Sequence, residues 1–167
     1  EIPEDYRVEL TELSNGQKVD SRIYPYLQEM FDAARKDGIY PVVREGYRTY
    51  EEQQKILDDK IKAYINEGYS QSRAERTAKE WVALPGTSEL GIAVDINADK
   101  SKSSNDEVYT WLAANAHNYG FILRYPQGKQ EITGTSYEPW HYRYVGKEAA
   151  KKITEQGITL EEYLQAD

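Results

Sequence analysis

Apolar residues recur at spacings of three and four in the first quarter of the chain, which is the period of an amphipathic helix. This pattern predicts a helix over residues 21–36, ended by Asp37-Gly38. The residues of its apolar face are Ile23, Leu27, Met30, Phe31 and Ala34. Before this helix, Asn15-Gly16 is a signal for a hairpin turn.

Further helix starts are indicated by a Ser or Thr followed three residues later by Glu, the capping-box pattern. The pairs are Thr49 with Glu52, Ser72 with Glu75, Ser104 with Glu107, and Thr159 with Glu162. Gly68 and Gly120 are the predicted stops of the first and third of these helices.

Short apolar, β-branched segments predict strands over residues 39–44, 91–97, 121–125 and 141–145. Helices dominate the first half, and the strands of the second half are joined by connections too short for regular βαβ units. We therefore predict an α+β fold with a small antiparallel sheet flanked by helices. The chain has no internal repeat and no clear linker, so residues 1–167 are expected to form a single domain.

The amino-acid composition and net charge exclude some classes of binding partner and of metal site. The 167 residues carry a formal net charge of −8, which argues against a general grip on nucleic acid or an anionic membrane. There is no Cys, so disulfides and thiolate metal sites are excluded. The start at Glu1 without an initiator Met suggests a mature domain whose export signal or anchor lies elsewhere, and we expect an extracellular or cell-surface location.

The candidate chemistry lies in Glu138-Pro139-Trp140-His141 and in Asp95, at the end of a predicted strand. A catalytic zinc site takes three protein ligands from His, Asp or Glu and leaves a position for water. A carboxylate that does not bind the metal then serves as the base. Asp95 and His141 are the candidate ligands and Glu138 the candidate base. Taken alone, Glu-x-x-His is also typical of a solvated polar pair, and an Asp at a strand end is often a turn former.

In combination these motifs resemble the VanY-type zinc D-alanyl-D-alanine carboxypeptidases and their L,D-cleaving relatives. That family reads Ser-x-His-x-x-Gly-x-Ala-x-Asp, followed by Glu-x-Trp-His. The matching segments, in the family's order, are Gly46-Tyr47-Arg48-Thr49 with Gln53, residues 84–88 and 91–97, and Tyr137 to His141. The resemblance covers about residues 39–146 and implies a Hedgehog/DD-peptidase-like fold.

The resemblance also implies roles for individual residues. Asp95 and His141 become zinc ligands and Glu138 the catalytic base. Arg48 becomes the cation that holds the free carboxylate of a peptide and polarises its carbonyl, a task that suits a bidentate guanidinium. Ser88 and Gln53 become contacts to the terminal residue of the peptide, and Trp140 a shield over one side of the site.

The first motif departs from the family in one respect. Ser88 and Asp95 are seven positions apart instead of nine, and the ligand His is missing between Glu89 and Leu90. The candidate replacements are Glu89, whose carboxylate zinc accepts, and His117, which more simply serves a helix end. Three origins stay open: a gap in the sequence as recorded, an engineered deletion, and a natural loss of metal affinity.

The expected function is therefore zinc-dependent removal of a C-terminal D-alanine from peptidoglycan stem peptides, D,D or L,D. The alternative is a wall-binding protein that recognises such peptides without cutting them. The bound metal would be Zn²⁺, the partner a peptidoglycan stem peptide, and neither nucleic acid nor membrane contact is expected of this domain.

Overall fold

The computed structural model describes residues 9–83 and 89–165 as short strands separated by helices. The strands are β1 Leu10–Glu12, β2 Lys18–Asp20, β3 Pro41–Glu45, β4 Ala93–Ala98, β5 Phe121–Leu123 and β6 His141–Tyr144. The helices are α1 Tyr24–Lys36, α2 Tyr50–Asn66, α3 Gln71–Lys79, α4 Asn105–Asn115, α5 Gln130–Thr133, α6 Lys147–Gln156 and α7 Leu160–Gln165, with a 3₁₀ turn at Ala116–Tyr119. The predicted α+β class is confirmed.

The four central strands form an antiparallel sheet in the order β3-β4-β6-β5, while β1 and β2 form a separate hairpin. One face of the sheet is apolar and packs against α1 and α4. The main buried residues of this core, from the sheet and from the two helices, are Leu27, Met30, Val94, Ile96, Val108, Leu112, Phe121 and Tyr142. A smaller apolar cluster of Ile122, Ala150 and Ile153 anchors α6, and Leu160 and Tyr163 of α7 pack against it. The other face of β4 and β6 is left for polar side chains.

Most helix boundaries agree with the sequence predictions because the caps form as expected. Thr49 and Ser104 each make the reciprocal capping-box bonds, with Glu52 and Glu107 respectively. The predicted apolar face of α1 is buried throughout. The Asn15-Gly16 hairpin is present, with Gly16 at a positive φ of 87°.

One predicted helix start needs correction, and two helices were not predicted. The cap of α3 is Ser70, not Ser72, because Ser70 has the extended backbone of a cap and its hydroxyl accepts the N–H of Arg73. Helix α6 gave no usable signal: it begins after Gly146 without a side-chain cap and buries only Ala150 and Ile153. The short helix α5 was also not predicted.

The hairpin fixes the loop that leads into α2. The N–H of Tyr47 donates to the carbonyl of Lys18 at 2.6 Å, and the N–H of Gly46 donates to Gln17 Oε1 at 3.0 Å. A Cβ at Gly46 would overlap the carbonyl oxygen of Lys18, so only glycine permits this approach. The contact therefore sets the position of Arg48, two residues further on.

Candidate active site

Paired strands bring an aspartate and a histidine together at the centre of the sheet. Asp95 of β4 lies directly opposite His141 of β6, so both side chains leave the same face. Asp95 Oδ1 lies 2.8 Å from His141 Nδ1, and both side chains are buried. Their neighbours Val94 and Tyr142 belong to the apolar core on the opposite face, as strand alternation requires.

The third acidic group comes from the turn that precedes β6. Glu138 donates its N–H to the carbonyl of Tyr125 at 3.0 Å, and the following segment is a turn, as Pro139 requires. Glu138 Oε1 lies 3.9 Å from His141 Nδ1. Burial raises the pKa of Glu138 to about 7, and the nearby charge of Asp95 acts in the same direction. A carboxyl group with such a pKa can exchange a proton near neutral pH.

The two ring nitrogens of His141 face different partners. Nδ1 is directed to Asp95 and lies nearer to Glu138, whereas Nε2 lies 3.1 Å from Glu89 Oε1. Metal-binding histidines commonly offer one nitrogen to the metal and donate the other N–H to a carboxylate. The geometry thus assigns Nδ1 to the side of the candidate ligands, and Glu89 to the opposite side of the ring.

Two arginines keep Glu89 ionised. Arg143 Nη1 donates to Glu89 Oε2, and Arg124 Nε lies 3.1 Å from Glu89 Oε1. Burial opposes ionisation, but the bond and charge of His141 and the charges of both arginines outweigh it and lower the pKa of Glu89 to about 2. Burial likewise lowers the pKa of His141, yet its bonds to Asp95 and Glu89 raise the value to about 9. A metal at Nδ1 would therefore displace a proton.

Arg48 lies just before α2 and is braced on two sides. Its Nη1 donates to Gln53 Oε1 at 3.2 Å, and its Nη2 lies 3.2 Å from Glu45 Oε2. Gln53 is buried and donates its own Nε2 to the carbonyl of Ala83 at 2.8 Å. A guanidinium has five N–H donors, more than these contacts use. Gln53 is thus bonded at its oxygen to Arg48 and at its nitrogen to the main chain, and its role as a contact to the peptide stays a prediction.

These groups line one cleft of about 300 Å³, and Trp81 and Trp140 lie along it. A bulge between Val43 and Glu45 brings Arg44 to the same cleft, where its Nη2 lies 3.6 Å from Asp95 Oδ2. Ser88 lies outside the described residues. The roles implied for the site residues stay predictions, but six of the seven share this cleft: Arg48, Gln53, Asp95, Glu138, Trp140 and His141.

The donor set tests whether zinc fits. Asp95 and His141 are two suitable donors held 2.8 Å apart, with a carboxylate beside them. Within residues 9–83 and 89–165, however, no three His, Cys, Asp or Glu side chains form a group that could hold a metal. Glu89 binds the far nitrogen of His141, and His117 lines a different cavity, so neither supplies the missing ligand. The described residues supply two of the three protein ligands that a catalytic zinc site takes.

Sequence reasoning named Arg48 but missed the two arginines beside Glu89. Arg143 was detectable, because it follows His141 by two positions on one strand and therefore shares its face. Arg124 and Tyr125, just after β5, gave no comparable signal, since only the pairing of β5 with β6 brings them to the cleft. Tyr125 stacks at a tilt on the His141 ring, with centroids 4.9 Å apart.

Comparison with known proteins gives the family. The family model for VanY, D-alanyl-D-alanine carboxypeptidase, matches residues 16–147, well over half of the chain. A D-alanyl-D-alanine carboxypeptidase of Enterococcus faecalis is 59% identical over 168 residues, covering 99% of this chain. The chain spans 63% of the length of that relative.

Solved structures agree in fold and in sequence. VanYB in complex with D-alanine-D-alanine matches with a TM-score of 0.95 and 58% identity, over 99% of this chain and 93% of that one. A mutant of the vancomycin resistance D,D-pentapeptidase VanY from the VanB-type cassette, in complex with Zn(II), matches with a TM-score of 0.92 and 60% identity, over 98% and 93% respectively. On these matches and on the shared motifs, the chain belongs to the VanY family of D-alanyl-D-alanine carboxypeptidases.

Proposed function

We propose that this protein is a metallo-carboxypeptidase that removes the terminal D-alanine from peptidoglycan stem peptides ending in D-Ala-D-Ala. The observation that carries the proposal is the convergence of Asp95, Glu138 and His141 Nδ1 in a cleft that also holds Arg48. The D,D bond is favoured over the L,D bond because a D,D-pentapeptidase and a complex with D-alanine-D-alanine match at 60% and 58% identity, whereas two matched L,D-carboxypeptidases are 37% and 34% identical.

Arg48 is the residue suited to hold the free carboxylate of the peptide. It presents a fixed cation in a chain of net charge −8, and Gln53 and Glu45 fix the plane of its guanidinium. A bidentate contact from Arg to a carboxylate sets both the position and the orientation of the terminal residue. The scissile amide then lies between Arg48 on one side and Asp95, Glu138 and His141 on the other.

Glu138 is suited to move the proton. Its Oε1 takes a proton from the attacking water and returns it to the nitrogen of the leaving D-alanine. A pKa of about 7 lets one carboxyl group perform both steps. Trp140 covers the cleft beside it and limits access of solvent.

Zinc is the proposed cofactor, with Asp95 and His141 as the residues that would hold it. When bound, the ion supplies polarisation of the water and of the scissile carbonyl. Two protein ligands bind such an ion more weakly than three. Because the shortened segment between Ser88 and Asp95 lacks the ligand His, it is expected to lower zinc affinity and therefore turnover.

The shortened motif favours a second candidate function, a protein that binds the stem peptide without cutting it. Arg48 and the cleft are independent of the missing His, so peptide binding would survive its loss. Either function suits an exported protein at the cell surface, where peptidoglycan lies. In the part of the chain that the structure describes, no helix has the length and apolar content to cross a membrane.

One experiment separates catalysis from binding. D-alanine release from an acyl-D-Ala-D-Ala peptide is measured with added zinc, and peptide affinity is measured in parallel, for the protein and for Glu138→Ala. The proposal predicts release that Glu138→Ala abolishes while zinc and peptide stay bound. Turnover retained in Glu138→Ala would remove this residue from the mechanism, and binding without release in the parent protein would favour the second candidate.

A further inference from the structure

A line of ion pairs connects the His141 ring to the C-terminal helix. Glu89 Oε1 accepts from His141 Nε2 at 3.1 Å and lies 3.1 Å from Arg124 Nε. Arg124 in turn donates from Nη1 and Nη2 to the two carboxylate oxygens of Glu161, both at 2.8 Å. Glu161 lies on α7, twenty residues beyond His141 in sequence.

This line is shielded from water, unlike the exposed ion pair of α2. The side chains of Glu89 and Arg124 are each 13% exposed and that of Glu161 is 26% exposed. By contrast, Lys55 and Asp59 on α2 are 76% and 63% exposed. Shielded, bidentate pairs hold their geometry far better than exposed ones, which contribute little.

Arg124 also contacts the main chain of the same histidine. Its backbone N–H donates to the carbonyl of His141 at 3.1 Å. Arg124 therefore fixes the strand that carries His141 and, through Glu89, the far side of the ring. Among the described residues its Nε–H has no hydrogen-bond partner, so the contact of Nε with Glu89 is electrostatic, and the bidentate bond to Glu161 is what orients the guanidinium.

Helix α7 has other docking contacts besides this bond. Thr159 is buried and exchanges hydrogen bonds with Glu162, and Leu160 and Tyr163 pack on the cluster around Ile153. A separate ion pair joins Lys129 to Glu162 at 3.1 Å. Removal of the Glu161 carboxylate therefore tests the ion-pair line without undocking the helix.

We propose that Glu89 and Arg124 are positioning residues for His141, and that Glu161 of α7 orients Arg124 for this task. Glu89 accepts the Nε2–H, which leaves Nδ1 as the nitrogen directed to Asp95 and Glu138. The C-terminal helix thus becomes part of the active site without touching substrate. This inference rests on the proposed use of His141 Nδ1 in the reaction.

The test is NMR of the histidine ring N–H groups in protein labelled only at histidine. The chain has two histidines, so His117, which lines another cavity, gives an internal reference. Glu161→Gln and Arg124→Gln are expected to speed exchange of the His141 Nε2–H with water about tenfold or more, because each weakens a charge-assisted contact that holds Glu89 in place. Glu161→Asp should partly restore the parent rate, and the His117 signals should not change.

Lys129→Gln is the matched control, because it removes the neighbouring ion pair on α7 and leaves Arg124 untouched. An unchanged His141 exchange rate in Glu161→Gln, or an equal change in Lys129→Gln, would overturn the proposal. Thermal unfolding of each variant checks that α7 stays docked, and Glu161→Gln carries the test if Arg124→Gln fails to fold.

Kinetics give a second readout. Where D-alanine release is measurable, Glu161→Gln and Arg124→Gln should lower kcat with little change in KM. Absence of release would count against the proposed function alone, because the NMR result does not depend on turnover.

Discussion

His141 is held at both ring nitrogens by carboxylates that differ in their own surroundings. Asp95 lies on the cleft side, while Glu89 is buried on the other side, where its bond to His141, the charge of His141 and the charges of two arginines lower its pKa to about 2. Among the described residues no arginine is bonded to Glu138, and burial raises its pKa to about 7. Carboxyl groups with pKa values pushed apart by their environments are typical of catalytic sites, where one stays charged and the other carries a proton.

The role of Arg48 leads to a prediction at the same scale. Arg48→Lys keeps the charge but loses the planar pair of donors, so affinity for a peptide with a free carboxylate should fall about 10- to 100-fold. The measurement is peptide binding by calorimetry or fluorescence, with Arg35→Lys as a control at an exposed pair on α1.

A peptide with an amidated C-terminus makes this prediction sharper. Its affinity for the parent protein should already be low, and Arg48→Lys should change it little, because the carboxylate that Arg48 binds is gone. If both proteins distinguish the acid from the amide equally well, another cation of the cleft, such as Arg44, holds the carboxylate.

At the scale of elements, the pairing of β4 with β6 assembles the centre of the site. It places Asp95 opposite His141, and the turn before β6 adds Glu138. The hairpin of β1 and β2 adds a second fixed point, since Asp20 donates its N–H to the carbonyl of Gly91 at 2.9 Å. The β1-β2 hairpin is thus hydrogen-bonded to the loop before α2 and to the turn before β4, the two segments beside the cleft.

Asp20 stabilises the junction of β2 with α1, and this has a testable pH dependence. Its Oδ1 accepts the N–H of Arg22 at 2.9 Å, and the Arg22 guanidinium bonds to both of its oxygens. The side-chain bond to Arg22 lowers the pKa of Asp20 below its ordinary value. The carboxylate therefore adds stability above about pH 4, where the unfolded chain is also ionised, and this contribution is lost as the pH falls through the native pKa.

Asp20→Asn should accordingly lower the free energy of unfolding by roughly 0.5–1 kcal/mol at neutral pH. The value is small because the side chain of Arg22 is 67% exposed and its charge is screened by water. Urea unfolding at neutral pH and near pH 3 checks this, and the difference between the two proteins should shrink on acidification. An undiminished difference at low pH would mean that the amide disturbs packing and that the charge matters little.

At the scale of the whole molecule, local signals predicted what local interactions decide. The caps at Thr49, Ser104 and Thr159 were correct because the bonds they make lie within one turn. Helix α6 was missed because Gly146 offers no side-chain cap and only Ala150 and Ile153 are buried. Its burial depends on the distant strand β5, which no local pattern shows.

The same distinction holds for the site. The resemblance named Asp95, Glu138 and His141, and strand register brings them together. The place of Glu89 on the far side of the His141 ring was not predictable, because it depends on Arg124 and Arg143 from two other strand segments. The position of Glu89 beside His141 Nε2 and Arg143 argues against its candidate ligand role and agrees with the positioning role proposed above.

The central claim is that Asp95, His141 and Glu138 form a hydrolytic centre that lacks one zinc ligand. The most direct measurement is D-alanine release, with zinc stoichiometry, by a variant carrying a His-Ala insertion between Glu89 and Leu90, which restores nine positions from Ser88 to Asp95. We expect about one zinc per chain, release well above that of the parent, and loss of release on chelation or in the added Glu138→Ala background. Stoichiometric zinc with no release of D-alanine would contradict it.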